Sequence, residues 1–587
     1  MPSPFEGLLH SNYAPSEQEC TLIKEHLVER QRELATLQAE LKRTSFGGDS
    51  SPSELPERLD GLLASIDAHR ALLSPIRWLP NEILREIFIR TLPSSHNASL
   101  SPRESPLLLM QISPRWRYIA ASTPRLWSTI HIPLPLPSTS HSLIENWITR
   151  AGALPLLASF SSIKDPSEST LPDLKSAYKR LGPARNRLRS LEVTLRADSE
   201  EEIAKFTVEL PQSGPNPFAR VSRAVLHILV GDSSFMDGAP LIFESLGLHQ
   251  NSDLRELEMT CNFHILTLSE CFLHSTPWKN LTKLDLQTRN INRAFKGIIR
   301  NGALLNILSR SPNLVSLKAF AAGSLTENDM QDLQDLVLNN KLRHVSLALF
   351  NFSQLSTVEL LARCDWPVLA SLHLWSQWSR DGETEKSYVL EKVISKFGNA
   401  LTSLRFSYRA LPPDHLTQFL ALLPNLVQIH IDNGTMRRWH NLVKGGDTED
   451  DDSDQELEDD PDVEKSDEVL ASLTPTARTK WHCSCPHLQY LRWEGHTPFS
   501  DTAVKELLLA RASITISPVR LKQVVIKFHR GMEEDILVDC AQLLEGGLKL
   551  RLVYSPRPSG SAGTANAYRD LYVEGDPLTL GWEEDAG

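Results

Sequence analysis

The feature that most constrains this chain is a leucine pattern of the form LxxLxL that recurs between residues 188 and 555. Alternating apolar residues in so short a run predict a β-strand with one buried face. Between residues 254 and 426, successive copies begin 25 to 33 residues apart, with helix-like segments between them. The copies begin at residues 188, 254, 281, 314, 342, 369, 401, 426, 488 and 521, with a degenerate copy near 225.

A strand-plus-helix unit of this size cannot bury its own apolar face, so neighbouring units have to stack against one another. We therefore predict an α/β fold in which residues 188–555 form a strand–helix solenoid. The units resemble leucine-rich repeats in a degenerate form, because the asparagine of the usual repeat does not recur regularly. The alternative is a non-solenoid α/β domain over the same residues.

A second pattern occupies residues 74–131 and begins PIRWLPNEILREIFIRTLP. Pro80 precedes apolar residues at helical spacing, and proline is tolerated in the first turn of a helix. Further on, Ser113 and Pro114 are residue types that favour the N-cap and the first helical position. The pattern predicts two amphipathic helices, near residues 80–91 and 106–121.

This arrangement resembles the F-box, a three-helix module that docks Skp1-type adaptors in cullin-RING ubiquitin ligases. With the repeats, it is similar to F-box-like proteins of mushroom-forming fungi. Ser113 stands where many F-boxes carry cysteine, and residues 94–105 form an unusually polar insert. Some matching residues must also form the module's own core, and the sequence does not separate the two roles. The resemblance assigns adaptor binding to Leu79, Pro80, Ile83, Leu84, Ile87, Phe88, Ile112, Trp116 and Ile119.

The segments that flank the F-box-like region are predicted from weaker patterns. Residues 1–15 look like a loose tail, and residues 16–73 like a helical hairpin. The hairpin either packs on itself or on the F-box, or it dimerises as a short coiled coil. Residues 132–187 are predicted to be a connector with one short helix. The a/d-like seam of the hairpin consists of Ile23, Leu27, Leu34, Leu37 and Leu41.

The net charge of −12 is concentrated in one segment. Residues 447–468 contain fourteen acidic residues and one lysine, so the rest of the chain is close to neutral. Such a segment cannot bury enough apolar surface to offset chain entropy. We therefore predict a disordered acidic insert over 444–470, and a flexible C-terminal tail over 556–587. A nearly neutral remainder lacks a globally basic surface, so we expect no nucleic-acid partner.

The residue types that carry chemistry are dispersed. Seven scattered cysteines, without a secretory pattern or a long apolar run, favour a reducing compartment, the cytoplasm or the nucleus, and no membrane partner. The cluster His482–His487 contains two cysteines one residue apart, a spacing that does not suit a tetrahedral zinc site, so no metal or cofactor is expected. No phosphate loop, serine-hydrolase elbow or HExxH helix is present. We expect no catalytic residue and no enzyme activity.

These patterns together predict the substrate-recognition subunit of an SCF-type E3 ubiquitin ligase. The F-box-like region would dock a Skp1-type adaptor and through it a cullin, and the repeats would bind a target protein that the sequence does not identify. Such a chain acts by proximity, because it holds the target near a charged E2 and supplies no reacting group. The alternative is a leucine-rich-repeat scaffold or interaction protein that never joins a ligase.

Overall fold

The structure, a computed structural model, divides the chain into two compact units. The first comprises Met1–Ile163 with Ser176–Arg189, and the second comprises Lys164–Lys175 with Ser190–Gly587. The residues described are 3–9, 11–46, 54–134, 140–162, 180–197, 218–230, 243, 246–248, 251–261, 276–288, 299–322, 337–350, 360–377, 393–407, 413–432, 467–476, 483–494, 497, 499–512, 519–528 and 530–554.

The first unit begins with a helical hairpin formed by α1 (Glu17–Phe46) and α2 (Glu54–Leu72). Its apolar seam packs between the two helices, so the hairpin packs on itself. The buried cluster consists of Phe5, Ile23, Leu27, Leu37, Leu62, Ile66 and Leu72, with Leu34 and Leu59 at its margin. Dimerisation through the same helices stays a prediction.

The residues before α1 are held in place, so the prediction of a loose tail over 1–15 is wrong for the described part. Phe5 joins the hairpin cluster and is 6% exposed. Arg77 Nη1 donates hydrogen bonds to the carbonyls of Ser11 at 2.8 Å and Tyr13 at 2.9 Å. The donor, Arg77, is more than sixty residues from both carbonyls in the chain, which is why local sequence patterns do not reveal these bonds.

Residues 74–131 contain three short α-helices, namely α3 (Asn81–Arg90), α4 (Leu109–Ile112) and α5 (Pro114–Ala121). The single helix predicted near 106–121 is therefore wrong. Ser113 has extended backbone and separates α4 from α5. Its side-chain oxygen accepts a hydrogen bond from Trp116 N at 3.2 Å, which confirms the predicted N-cap.

A strand–helix–strand element follows, made of β1 (Thr129–Leu134), α6 (Ser140–Arg150) and β2 (Leu156–Ser162). The two strands pair in parallel, with Thr129 opposite Leu157. The prediction of a connector over 132–187 is wrong here, because β1 already begins at residue 129. Prolines in the run TIHIPLPLP disguise the strand, although proline is tolerated at the margins of a sheet.

The second unit is built on parallel strands that pair with one another in chain order. Two minor strands, Val337–Leu338 and Cys364–Asp365, pair separately, and the short strand Ile299–Arg300 pairs only with the end of Ser316–Ala322. The α/β class with a parallel sheet is therefore confirmed, and it is consistent with a strand–helix solenoid. The strands are β3 (Leu188–Ala197), β4 (Arg223–Val230), β5 (Glu256–Cys261), β6 (Lys283–Thr288), β7 (Ile299–Arg300), β8 (Ser316–Ala322), β9 (Val337–Leu338), β10 (His344–Phe350), β11 (Cys364–Asp365), β12 (Ser371–Gln377), β13 (Ser403–Ser407), β14 (Gln428–Asp432), β15 (Tyr490–Trp493), β16 (Gln523–Phe528) and β17 (Lys549–Tyr554).

The leucine pattern fixes the register of this sheet. Leu284, Leu317, Val345 and Leu372 stand opposite one another on successive strands. Each of the four is at most 2% exposed. A shift of one residue would turn the apolar row out of the core, so burial of this row specifies the register.

Backbone hydrogen bonds repeat where each strand begins. The carbonyl of Thr282 accepts from Val315 N at 2.8 Å and from Ser316 N at 3.0 Å. Equivalent pairs of bonds recur from Ser222 to Gln489. Each unit therefore supplies a hydrogen-bond acceptor for two backbone amides of the next unit, as expected for a stack of similar units.

Helices cover the apolar face of the sheet. They include α7 (Asn301–Arg310), α8 (Pro413–Ala421), α9 (Glu468–Leu473), α10 (Asp501–Ala512) and α11 (Ala541–Glu545). Phe406 of β13 and Phe419 of α8 have ring centroids 5.3 Å apart, which places this helix against the inward-facing side chains. The alternate residues of each strand lie on the opposite face.

The end of the repeat region differs from the prediction in two places. Strand β17 pairs in parallel with β16, although the sequence pattern did not include it. Helix α9 begins at Glu468, and Val469 and Leu470 are fully buried, so the predicted insert over 444–470 extends too far. The rest of that insert and the tail over 556–587 lie outside the described residues. No helix among the described residues is both long and apolar enough to cross a membrane.

Candidate functional site

Helix α3 is fixed at its start by an arginine from α5. Pro80 stands at the N-cap, and its carbonyl accepts the first helical hydrogen bond from Leu84 N at 3.1 Å. Arg115 donates to the carbonyls of Arg77 at 2.8 Å and Leu79 at 2.6 Å. It also donates to Asn81 Oδ1 at 3.2 and 3.0 Å. One guanidinium therefore orients α3 relative to α5, a role that the sequence patterns did not reveal.

Three of the residues that the sequence assigned to adaptor binding belong to the core instead. Leu84, Phe88 and Ile119 are 0% exposed. The Phe88 ring lies 4.7 Å from the Trp116 ring, centroid to centroid, and this contact joins α3 to α5. The helical stripe carries both core and surface residues, so the sequence could not exclude these three. In this conformation they cannot contact a docked partner, and they are corrected to core positions.

The remaining assigned residues reach the surface to different extents. Ile83 is 48% exposed, Ile87 is 37% exposed and Ile112 is 53% exposed. Pro80 is also exposed, whereas Leu79 and Trp116 are half-buried. Because Ile83 and Ile87 are four residues apart in α3, they are neighbours on one side of the helix.

Further apolar side chains close to these residues in sequence are exposed, although the sequence analysis did not assign them a role. Trp78 is 43% exposed, Leu108 is 42% exposed and Tyr118 is 70% exposed. Leu108 precedes Ile112 by four residues, a spacing that could have revealed it. Six of the sixteen large apolar side chains that are exposed in the described part of the chain fall within residues 78–118. We name this set the exposed apolar set: Trp78, Ile83, Ile87, Leu108, Ile112 and Tyr118.

The polar insert at 94–105 is tied to β1. Ser99 forms an isolated parallel bridge with His131, whose N–H donates to the Ala98 carbonyl at 2.8 Å. Glu104 accepts hydrogen bonds from Ser99, and His96 Nε2 lies 2.8 Å from its carboxylate. Burial alone would raise the pKa of Glu104, but Ser99 and His96 hold that pKa below its ordinary value. The insert is therefore an ordered part of the module.

The structure describes residues 483–487 of the cysteine-rich cluster. Cys485 is buried, and burial raises the pKa of its thiol to about 12, so the thiol is protonated at neutral pH. Arg511, fully buried, donates to the carbonyls of Ser484 and Cys485, both at 3.1 Å, and to that of Leu473 at 2.7 Å. The described residues include no group of three or more side chains that could hold a metal ion. Within this part of the chain the cluster has a packing role.

Comparisons with known proteins add little to this geometry. No family model and no curated protein matches the sequence. Among solved structures, a chain from the crystal structure of the Rad7 and Elc1 complex in yeast matches with a TM-score of 0.30 and 14% identity. The match covers 72% of this chain and 97% of that chain. A superposition this weak carries no argument about function.

Proposed function

We propose that this chain is the substrate-recognition subunit of an SCF-type ubiquitin ligase. In this proposal the exposed apolar set binds a Skp1-type adaptor, and through it a cullin, while the repeat sheet binds the target protein. The chain supplies no reacting group and acts by holding the target near the charged E2.

The observation that carries the proposal is the concentration of large exposed apolar side chains on a module whose core is already complete. Leu84, Phe88 and Ile119 fill that core, so burial in the module does not explain Ile83, Ile87 or the rest of the set. Exposed large apolar side chains that lie next to one another, as Ile83 and Ile87 do in α3, typically mark a protein interface. The resemblance of Leu79–Phe88 and Ile112–Trp127 to the F-box identifies the expected partner as a Skp1-type adaptor.

The test is the double substitution Ile83→Ala with Ile87→Ala. Both side chains are exposed, so their truncation is expected to leave the fold intact while removing two interface anchors. We expect the Kd for a purified Skp1-type adaptor to rise by about 30-fold, which corresponds to about 2 kcal/mol. Binding is measured by calorimetry or by a quantitative pull-down, with circular dichroism to verify that the variant is folded.

The matched control is Leu22→Ala with Val28→Ala on α1, where the side chains are 52% and 48% exposed. This variant should bind the adaptor as well as wild type does. If folded wild-type protein binds no Skp1-type adaptor, the ligase proposal fails and the scaffold alternative remains. If the adaptor binds wild type and both variants equally, the docking surface lies elsewhere on the chain.

A further inference from the structure

One row of side chains on the sheet face opposite the helices is rich in nitrogen donors. Parallel pairing places Lys318 opposite Ser346, and Ser346 opposite His373. The same register continues from His373 to Arg405, from Arg405 to His430, and from His430 to Arg492. Five of these six consecutive positions therefore carry lysine, arginine or histidine. We name this set the cationic row: Lys318, Ser346, His373, Arg405, His430 and Arg492.

The same row is acidic nearer the start of the sheet. The corresponding positions on β3, β5 and β6 are Glu192, Glu258 and Asp285. Asp285 lies 4.0 Å from Lys318, where the sign of the charge changes. Beside the cationic row, the preceding outward positions on β8, β12 and β13 are uncharged serines, whereas Glu494, which directly follows β15, places a carboxylate beside Arg492. The sheet face is therefore polarised along its length.

Contacts within the cationic row orient its members. Ser346 Oγ lies 3.1 Å from His373 Nδ1. Glu494 accepts a hydrogen bond from Arg492, and its carboxylate lies 3.6 Å from His430 Nε2, so one acid orients two donors. Burial, followed by the charges of Arg405, His430 and Lys318, lowers the pKa of His373 well below its ordinary value. His373 is therefore uncharged at neutral pH, and the permanent positive charges of the row belong to Lys318, Arg405 and Arg492.

We propose that the cationic row binds an acidic, carboxylate-rich segment of a partner protein. Lys318 and Arg492 have side chains that are 26% and 19% exposed, so both ends of the row are reachable from solvent. Adjacent strands are about 4.8 Å apart, so the six positions span about 24 Å. An extended peptide covers that distance with roughly seven residues. Charge complementarity across these positions sets the specificity.

This inference rests on the proposed function only in treating the partner as the target of the ligase. The peptide assay needs no adaptor, and the adaptor assay needs no peptide. Failure of this inference is therefore distinguishable from failure of the proposed ligase function. The chain's own acidic residues at 447–464 carry the same chemistry and could compete for the row. The test therefore includes a full-length chain in which the acids at 447–464 are replaced by their amides.

The probe is a labelled twelve-residue peptide of aspartate, glutamate, serine and glycine, with an asparagine and glutamine version as its neutral counterpart. Fluorescence anisotropy measures binding to the wild-type and amide-substituted chains. We expect one or both chains to bind the acidic peptide at least about tenfold more tightly than the neutral one, and less tightly at high salt. Arg405→Gln with Arg492→Gln should weaken acidic-peptide binding by about tenfold or more.

The control is Arg310→Gln with Lys396→Gln, which removes two positive charges from the helical segments rather than from the row. This variant should retain acidic-peptide binding. The inference is overturned if neither chain prefers the acidic peptide. It is also overturned if the row substitutions leave the affinity of a folded protein unchanged, or if the control substitutions weaken it equally. Selective loss of binding in the row variant alone supports the assignment.

Discussion

At the scale of single residues, two glycines have opposite surroundings. A Cβ added at Gly398 would lie 2.5 Å from the Leu422 carbonyl oxygen and 2.6 Å from that of Ile394. These atoms are backbone, so they cannot rotate away as a side chain would. Gly61, in the interior of α2, is exposed, and an added Cβ would meet nothing within 4 Å. Of these two positions, only 398 requires glycine, because backbone atoms of Ile394 and Leu422 approach it closely.

The substitution Gly398→Ala is therefore expected to destabilise the second unit. Forcing the backbone apart typically costs about 1–3 kcal/mol in the free energy of unfolding. The matched change Gly61→Ala should stabilise α2 by about 0.5–1 kcal/mol, because alanine is the better helix former. Urea denaturation followed by circular dichroism measures both. Equal effects of the two substitutions would contradict this account of Gly398.

At the scale of elements, one carboxylate joins helix α10 to the segment that follows β16 and to strand β17. Asp501, the first residue of α10, has a side chain that is 1% exposed. It accepts hydrogen bonds from Arg530 at 2.9 Å, from the amides of Glu533 and Glu534 at 2.7 and 2.9 Å, and from the Tyr554 hydroxyl at 3.2 Å. Burial is the largest influence and alone would raise its pKa, but Arg530 and the two amides hold that pKa below the ordinary value.

Asp501→Asn is expected to lower the free energy of unfolding by about 3 kcal/mol at neutral pH, since it removes the buried carboxylate that is the nearer of the two beside Arg530 and leaves Glu533, 3.7 Å away, as the other. Because the folded-state pKa of Asp501 is lowered, its contribution is present above the unfolded pKa and is lost as pH falls through the folded value. The stability of wild type should therefore decline towards acid pH more steeply than that of the variant. Urea titrations between pH 3 and 7, about the range of carboxyl titration, measure the difference.

The control for Asp501 is Asp253→Asn in the same unit. The Asp253 side chain is 38% exposed, and its partner Arg220 lies 3.2 Å away at the surface. An exposed pair of this kind contributes about 0–1 kcal/mol, so this variant should resemble wild type. If the free energy of unfolding falls equally with pH in wild type and Asp501→Asn, Asp501 does not control the loss of stability in acid.

At the scale of the whole molecule, asparagines link successive repeats. Asn339 is 1% exposed, and its Nδ2 donates to the Ser311 carbonyl of the preceding unit at 2.9 Å. Its Oδ1 accepts from Lys341 N at 2.9 Å and Leu342 N at 3.0 Å. Asn313 makes a similar bond to Lys279 O at 2.7 Å, but at an exposed position. These asparagines share one role, a hydrogen bond to a carbonyl of the preceding unit, although their irregular spacing did not reveal it in the sequence.

Asn339→Ala is expected to cost about 1–3 kcal/mol in the free energy of unfolding, because three backbone groups lose a hydrogen bond to this buried side chain. Units in a stacked array stabilise mainly their neighbours, so the damage should be local. Hydrogen exchange should increase in β8 and β10 and much less in β16. Asn313→Ala, the exposed counterpart, should cost less than about 1 kcal/mol. Uniformly increased exchange along the sheet would contradict coupling between neighbouring units.

The sequence by itself determined the repeated elements of this protein. A strand pattern of period two with a buried row is a local property, so it located every strand from β3 to β6 and the main strands from β8 to β16. Ser113 was identifiable as an N-cap for the same reason, because capping depends on residues within one turn. Strand β17 was not predicted because its copy of the pattern was not recognised. Strand β1 was not predicted because prolines obscure its alternation of apolar and polar residues.

Only the tertiary structure decided which residues of each element face a partner and which fill the core. Leu84 and Phe88 lie in the same short helix as Ile83 and Ile87, yet only the latter pair is exposed. Arg115, Asp501 and the cationic row were likewise invisible, because their partners come from distant parts of the chain. The pattern of one element specifies its periodicity, whereas exposure depends on what other elements pack against it.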